Sequence, residues 1–391
     1  MTTTPDITII GGGIIGLLTA REFFKAGATV TVIEKNLAGQ ESSWAGGGIL
    51  LPLYPWRQAD AITRLALQSL KLYPALASQL NTETHIDPEW NPCGLLITKN
   101  PDIAAAVDWC TANNISFEQA GADFFNAIDT KPDNPLWLPG IAQARNPRLV
   151  KSLKQDLINK GVTLIEHCEL KAITLENNRV TAINTTSGRF AVNQLIISAG
   201  AWTGQLFQQL FSATAPASPK APTVGALPPA SMQSPAIAVD APKIFPVKGQ
   251  MLLFDAKPDT LKFMVLDGDQ YLIPRRDGKI LAGSTVEQDN FNKTTTAEAR
   301  NRLNTFALNL LPSLKNFPVV KHWAGLRPGT EHGVPYIDKH PKISNLCINA
   351  GHFRNGLVMG PASAQLMVDL VLNRPTAVAP EPYKLTRPTN T

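Results

Sequence analysis

Cysteine is scarce in this chain, with only Cys93, Cys110, Cys168 and Cys347 spread across 391 residues. They form neither the density of a secreted disulfide scaffold nor paired metal-ligand spacing, so we expect reduced core thiols and a cytoplasmic protein. The six histidines show no HxH or HExxH spacing, and we expect no metal site. Charge of one sign is also lacking. The 36 Lys and Arg against 31 Asp and Glu leave a net +5 without long basic runs, which argues against a nucleic-acid binder. No window approaches the run of about 18 apolar residues that crosses a bilayer. The N-terminus lacks the basic residues of an export signal, and its apolar stretch is broken by Gly11, Gly12 and Gly13. A soluble protein without stable membrane insertion is expected.

What is present is an ordered series of apolar segments. Ile7–Ile10 predicts a strand, 14–26 a helix ended by Gly27, and the β-branched run Thr29–Ile33 a buried parallel strand, together a βαβ unit. Helices are expected over 59–77, 103–113, 149–160, 296–310 and 357–372. Short strands over 162–165, 172–175, 180–185 and 190–192, separated by Asn-Asn and Ser-Gly turns, read as a small antiparallel sheet. Gln194–Ser198 reads as a last central strand. Further strands are expected at 94–98, 247–254, 263–266, 270–274, 279–282 and 346–350. The Ala/Pro/Ser stretch 211–242 predicts a surface loop, and residues 376–391 an extended tail.

Gly11, Gly13 and Gly16 fit GxGxxG between a strand and a helix, with Glu34 ending the second strand at the distance that reaches a ribose. In this context the motif points to dinucleotide binding rather than a structural glycine turn. An acid at that place favours a ribose without a 2′-phosphate. The motif does not separate NAD from FAD. The next segment, Gly39 to Leu50, is too rich in Gly and Ser to build a core; it suits close approach to a flat ring, or else a flexible linker.

The stretch ESSWAGGGILLPLYPW after VIEK resembles the flavin-facing loop of the glycine oxidases of thiamine biosynthesis, within the D-amino-acid oxidase superfamily. The resemblance continues in SAGAWTGQL, PVKGQM, GLRPGTEHGVPYID and AGHFRNGLVMGPAS, leaving out only the Ala/Pro-rich stretch and the tail. It implies an α/β fold with a Rossmann-like FAD-binding domain and a substrate domain built on a mixed or antiparallel sheet. The segments 1–80, 145–210 and 320–375 would form the first, and 81–144 and 243–319 the second.

By the same resemblance, FAD would lie against Gly11, Gly13, Ile14, Ile15, Gly16, Glu34, Lys35, Ser42, Ser43, Gly47, Gly48 and Ile49. Leu170 matches a backbone contact to adenine. His352, Phe353, Arg354, Asn355, Gly356, Leu357 and Val358 match the turn and helix start that meet the flavin pyrimidine. Arg327 and Arg354 match substrate-binding arginines, and Tyr271 a tyrosine that reaches the same carboxylate. Taken singly, each Arg also reads as a surface ion pair and Tyr271 as a core residue. Oxidation of glycine, sarcosine or small D-amino acids by O₂, yielding the imine and H₂O₂, is implied, with the imine serving thiazole synthesis. No obligatory base is needed, because a neutral amine loses hydride directly.

Cys347 is the one candidate for covalent flavin attachment; its neighbours read as a buried strand, so non-covalent FAD is expected. Two alternatives stay open. One is a D-amino-acid dehydrogenase passing electrons to a quinone or other acceptor; the other is a flavin-fold binding or tRNA-modifying module, against which the full set of substrate residues argues. The sequence is equally compatible with a monomer and a homo-oligomer.

Overall fold

Ile7–Ile10 is buried at all four positions, as a strand covered on both faces must be. It forms β1, followed by α1 (Ile14–Lys25) and β2 (Val30–Ile33), the two strands running parallel. The computed structural model describes residues 4–126, 128–212 and 241–386. The chain continues through α2 (Ser42–Ala45), α3 (Asp60–Thr84), β3 (Leu95–Ile97), α4 (Ile103–Ala112), β4 (Glu118–Gln119), β5 (Leu136–Leu138), α5 (Asn146–Asn159) and β6 (Thr163–Ile165). Next come β7 (Leu170–Glu176), β8 (Arg179–Thr185), β9 (Gly188–Ala191), β10 (Gln194–Ile197) and α6 (Thr203–Ser212). Beyond them lie β11 (Phe245–Phe254), β12 (Met264–Asp267), β13 (Gln270–Pro274), β14 (Ile280–Gly283) and α7 (Ala297–Leu310). The last are β15 (Val319–Gly329), β16 (Tyr336–Lys339), β17 (Leu346–Ala350) and α8 (Gly356–Val371).

The strands assemble into a six-stranded sheet ordered β16-β17-β10-β1-β2-β6, an eight-stranded sheet ordered β15-β11-β14-β13-β12-β3-β5-β4, and a three-stranded sheet β7-β8-β9. Alternation decides what covers each face of the first. Ile7, Ile9, Val32 and Ile196 pack against α1, α3, α5 and α8, whereas Ile10, Ile33, Leu195 and Ile197 pack against the three-stranded sheet and α6. In the eight-stranded sheet, Leu252, Leu272 and Ala282 face α7. Met251, Tyr271 and Ile273 face the other way.

Several elements differ from expectation. The strand at 163–165 pairs parallel with β2 instead of joining the small antiparallel sheet, because it returns from α5 as the third strand of a βαβ series. α3 runs on beyond residue 77 to Thr84, carried by Leu80 and Thr84, which continue the buried stripe of Tyr73, Leu76 and Ala77. β15 and β16 were not foreseen. β15 pairs with β11 along its length, Pro328 lying opposite Pro246, so residues 319–329 lie in the eight-stranded sheet. The tail is not simply extended: Glu381–Tyr383 forms a 3₁₀ turn, and buried Tyr383 donates its hydroxyl to Ala61 O at 2.7 Å. α6 takes in residues 211 and 212; residues 213–240 of the expected loop lie outside the described residues. All four cysteines are free, and burial pushes the Cys347 thiol up to about 12.

Candidate active site

A cavity of about 570 Å³ runs from the carboxyl ends of β1 and β2 to the inner face of the eight-stranded sheet. Its size and place are those of a small-molecule site in an open α/β fold. Of the residues singled out from the sequence, Gly11, Gly13, Ile14, Ile15, Glu34, Lys35, Ser42, Ser43, Gly47, Gly48, Ile49, Leu170, Tyr271, Arg327 and the run His352–Leu357 line it. Gly16 and Val358 do not. Gly16 sits beneath the turn, where a Cβ would run into Gly11 O, and Val358 is a core residue against α1 and α3.

The β1–α1 turn depends on Gly11, whose φ of +110° and contact with Ser198 O exclude a side chain. α1 opens with no cap from its own N-cap residue; Ser43 Oγ reaches across and accepts from Ile14 N at 2.8 Å. Glu34 accepts from Gly12 N at 2.8 Å through one oxygen and from Asn36 N at 2.9 Å through the other, so the carboxylate is fixed beside the turn. Lys35 Nζ lies 4.1 Å over the Trp202 ring, a cation–π contact at the cavity wall. Asn146 and Ser198 line the cavity, and Asn146 Oδ1 and Ser198 Oγ are buried without a partner among the described residues. Such atoms, beside a helix N-terminus and a glycine loop no Cβ could share, fit a polar diphosphate-bearing cofactor.

At the far end Arg327 lies on β15. Its Nη1 donates to Lys248 O at 3.3 Å and Thr285 O at 3.1 Å, and its Nη2 to Ser284 Oγ at 2.8 Å. These partners are neutral, and no carboxylate lies within 4.0 Å of Arg327 or Arg354 among the described residues. The guanidinium lies against Gly249, where any Cβ would occupy its place. Burial pulls its pKa down, with Tyr271 beside it acting in the opposite sense. Tyr271 is buried, its hydroxyl donating to Met251 Sδ at 3.5 Å, a weak acceptor that leaves it available to a better one. Arg354 is exposed at the cavity's edge, its guanidinium 5.3 Å from the Phe353 ring centre.

His352 is buried, and burial lowers its pKa to about 3. Ser363 Oγ spends its hydrogen on Met359 O at 2.8 Å, so the 3.0 Å contact to His352 Nε2 assigns the ring nitrogen as donor. The imidazole is neutral and committed.

Three residues of this region were missed. Asn146 opens a helix and Ser198 follows a strand that were both recognised, and nothing in their spacing marks them. Arg275 was hidden in Arg275-Arg276-Asp277-Gly278, which reads as a charged turn. Its position two and four residues from Ile273 and Tyr271 is the signal that would have found it.

The profile of the family DAO, FAD dependent oxidoreductase, matches residues 6–370. A glycine oxidase of Pseudomonas putida is 41% identical over 385 residues, 97% of each chain. The bifunctional protein ThiO/ThiG of Synechocystis is 29% identical, matching 96% of this chain but 52% of that protein. The crystal structure of glycine oxidase from Geobacillus kaustophilus superposes with a TM-score of 0.86 at 26% identity, covering 100% of both chains.

Proposed function

The chain belongs to the DAO family of FAD-dependent oxidoreductases, and from that premise we propose that it oxidises glycine and similar small amines, with O₂ as acceptor. The observation that carries this is the convergence of an uncompensated guanidinium, Arg327, and the Tyr271 hydroxyl on the same cavity as the glycine turn. The full-length likeness to glycine oxidases supports it.

FAD, when bound, supplies the hydride acceptor and passes the electrons on to O₂. The main chain of Gly11 and Gly13–Ile15 would hold its diphosphate, with Gly16 letting the turn close beneath it, Glu34 the adenosine ribose with Lys35 beside it, and Leu170 the adenine. Ser42, Ser43, Gly47, Gly48 and Ile49 would line one side of the ring, and His352 to Leu357 the pyrimidine edge. Arg327 would take the substrate carboxylate on its planar fork, with Tyr271 donating to the same group and Arg354 closing from the cavity's edge. Two anchors on one carboxylate orient the α-carbon. No step asks a side chain for a proton, in keeping with a neutral His352 bound to Ser363.

The FAD would be held without a covalent bond, a reading that the burial of Cys347 in β17 supports. The FAD-side and substrate-side lobes follow the six- and eight-stranded sheets. The protein works in the cytoplasm, where the imine product would supply thiazole synthesis, and among the described residues no helix is long and apolar enough to cross a membrane.

Oxygen uptake by the purified protein with glycine, sarcosine, D-alanine and D-proline, followed by anaerobic bleaching with the same panel, tests the reading. Uptake with glycine at a rate comparable to the best substrate supports it. Bleaching without uptake would make the protein a dehydrogenase, and no bleaching with any amine would reject amine oxidation altogether.

A further inference from the structure

Arg275, one residue past β13, is only 7% exposed. Its Nη2 donates to Gly47 O at 2.6 Å and its Nη1 to Gln143 Oε1 at 2.5 Å. Gln143 is itself fixed: its Nε2 donates to Pro274 O at 2.7 Å, and its backbone pairs with Asn91. The nearest acids are engaged elsewhere, Glu89 and Asp277 both being ion-paired to Arg145. Arg275 is therefore a buried cation with neutral partners. Burying an unpaired charge costs several kcal/mol, and an apolar side chain of similar volume often serves packing better.

Its location supplies a reason for the charge. Gly47 lines the cavity, and a Cβ there would sit 3.0 Å from Ile273 Cδ1 and 3.2 Å from the Tyr271 hydroxyl. Tyr271, Ile273 and Arg275 alternate along one face, so β13 both carries the tyrosine and grips the loop opposite it. In a trans peptide the C=O and the next N–H point in opposite directions. With Gly47 O tied to Arg275, the Gly48 N–H is directed away from the guanidinium. A charged donor on the carbonyl polarises the peptide and strengthens that N–H as a donor.

We propose that Arg275 is a positioning residue that sets the Gly47–Gly48 peptide as a hydrogen-bond donor toward the cofactor ring and supports, through it, negative charge arriving in the cavity. The proposal rests on FAD occupying this cavity and uses the glycine-oxidising reading only for the choice of substrate.

The test compares FAD-loaded wild type with Arg275→Met and Arg275→Lys, using sulfite as a probe anion that adds to oxidised flavin. Arg275→Met is expected to keep its FAD, weaken sulfite binding about tenfold and lower kcat about tenfold, with KM for glycine within about threefold of wild type. Arg275→Lys should recover part of both losses, and the flavin absorption spectrum should shift in Arg275→Met. Unchanged sulfite affinity and spectrum in Arg275→Met, with only Tm altered, would overturn the proposal. If Arg275→Met does not fold, Arg275→Lys decides: wild-type sulfite affinity, spectrum and kcat together would reject it. Sulfite binding and the spectrum need no substrate, so they stand even if glycine is not oxidised.

Discussion

Along the six-stranded sheet the cavity's closest walls are glycine turns, at Gly11, Gly13 and Gly351, whereas the eight-stranded sheet faces it with Met251, Tyr271 and Arg327. The first wall works by closeness: what matters is that atoms are missing, so that N–H groups and a helix end can approach a ligand. The second works by charge and hydroxyl chemistry on rigid strands. Substitutions should therefore separate the two, with flavin content reporting on one and KM on the other.

The largest effect is expected from Gly11→Ala, which puts a methyl group against Ser198 O on a backbone at φ +110°. Flavin absorbance per protein should fall about tenfold or more; a full yellow complement would show that the turn tolerates a side chain. Arg327→Ala should raise KM for glycine about 100-fold with flavin content unchanged. Loss of flavin in that variant would break the division between the walls. Gly249→Ala sharpens the point, because its Cβ would occupy the guanidinium's place; steady-state kinetics should show KM about tenfold higher. Tyr271→Phe removes one hydroxyl and should cost about three- to tenfold in KM, and no change would leave the tyrosine a packing residue.

The smallest effect is on stability and belongs to the cofactor wall. Burial takes the His352 pKa from 6.5 to about 3, so the unfolded chain binds a proton that the folded one refuses. Stability is fully present above pH 6.5 and falls as pH drops toward 3. Tm should decline between pH 7 and pH 5, His322 acting in the same sense, and His352→Gln should flatten the slope. An equally steep profile in that variant would reject the assignment.

The same contrast governs what was legible in the sequence. Gly11, Gly13 and Glu34 are close in the chain, and their spacing announces a turn between a strand and a helix. Arg327 and Tyr271 lie on strands 56 residues apart, and only the family resemblance joined them. β15 escaped notice because Gly325, Pro328 and Gly329 argue locally against a strand, and pairing with β11 overrides them. Arg275 escaped because burial of one arginine in a charged tetrapeptide is decided by distant Gly47 and Gln143. The polar residues Ser78 and Gln79 argue locally for an end to α3 at 77, but its apolar stripe continues through Leu80.

The order of the six-stranded sheet has a consequence for how the protein is made. β1 lies between β2 and β10, and β10 pairs with β17, so strands that begin at Ile7, Gln194 and Leu346 must meet before the sheet is whole. During synthesis the first βαβ unit leaves the ribosome with one edge of β1 open, and it waits for partners nearly 190 and 340 residues downstream. Pairings of such long separation form slowly, and exposed strand edges invite aggregation in the interval. Capture of the cofactor is thus a late event, possible only after His352 and its turn have emerged, and nascent chains halted earlier should be clients of chaperones rather than small flavoproteins.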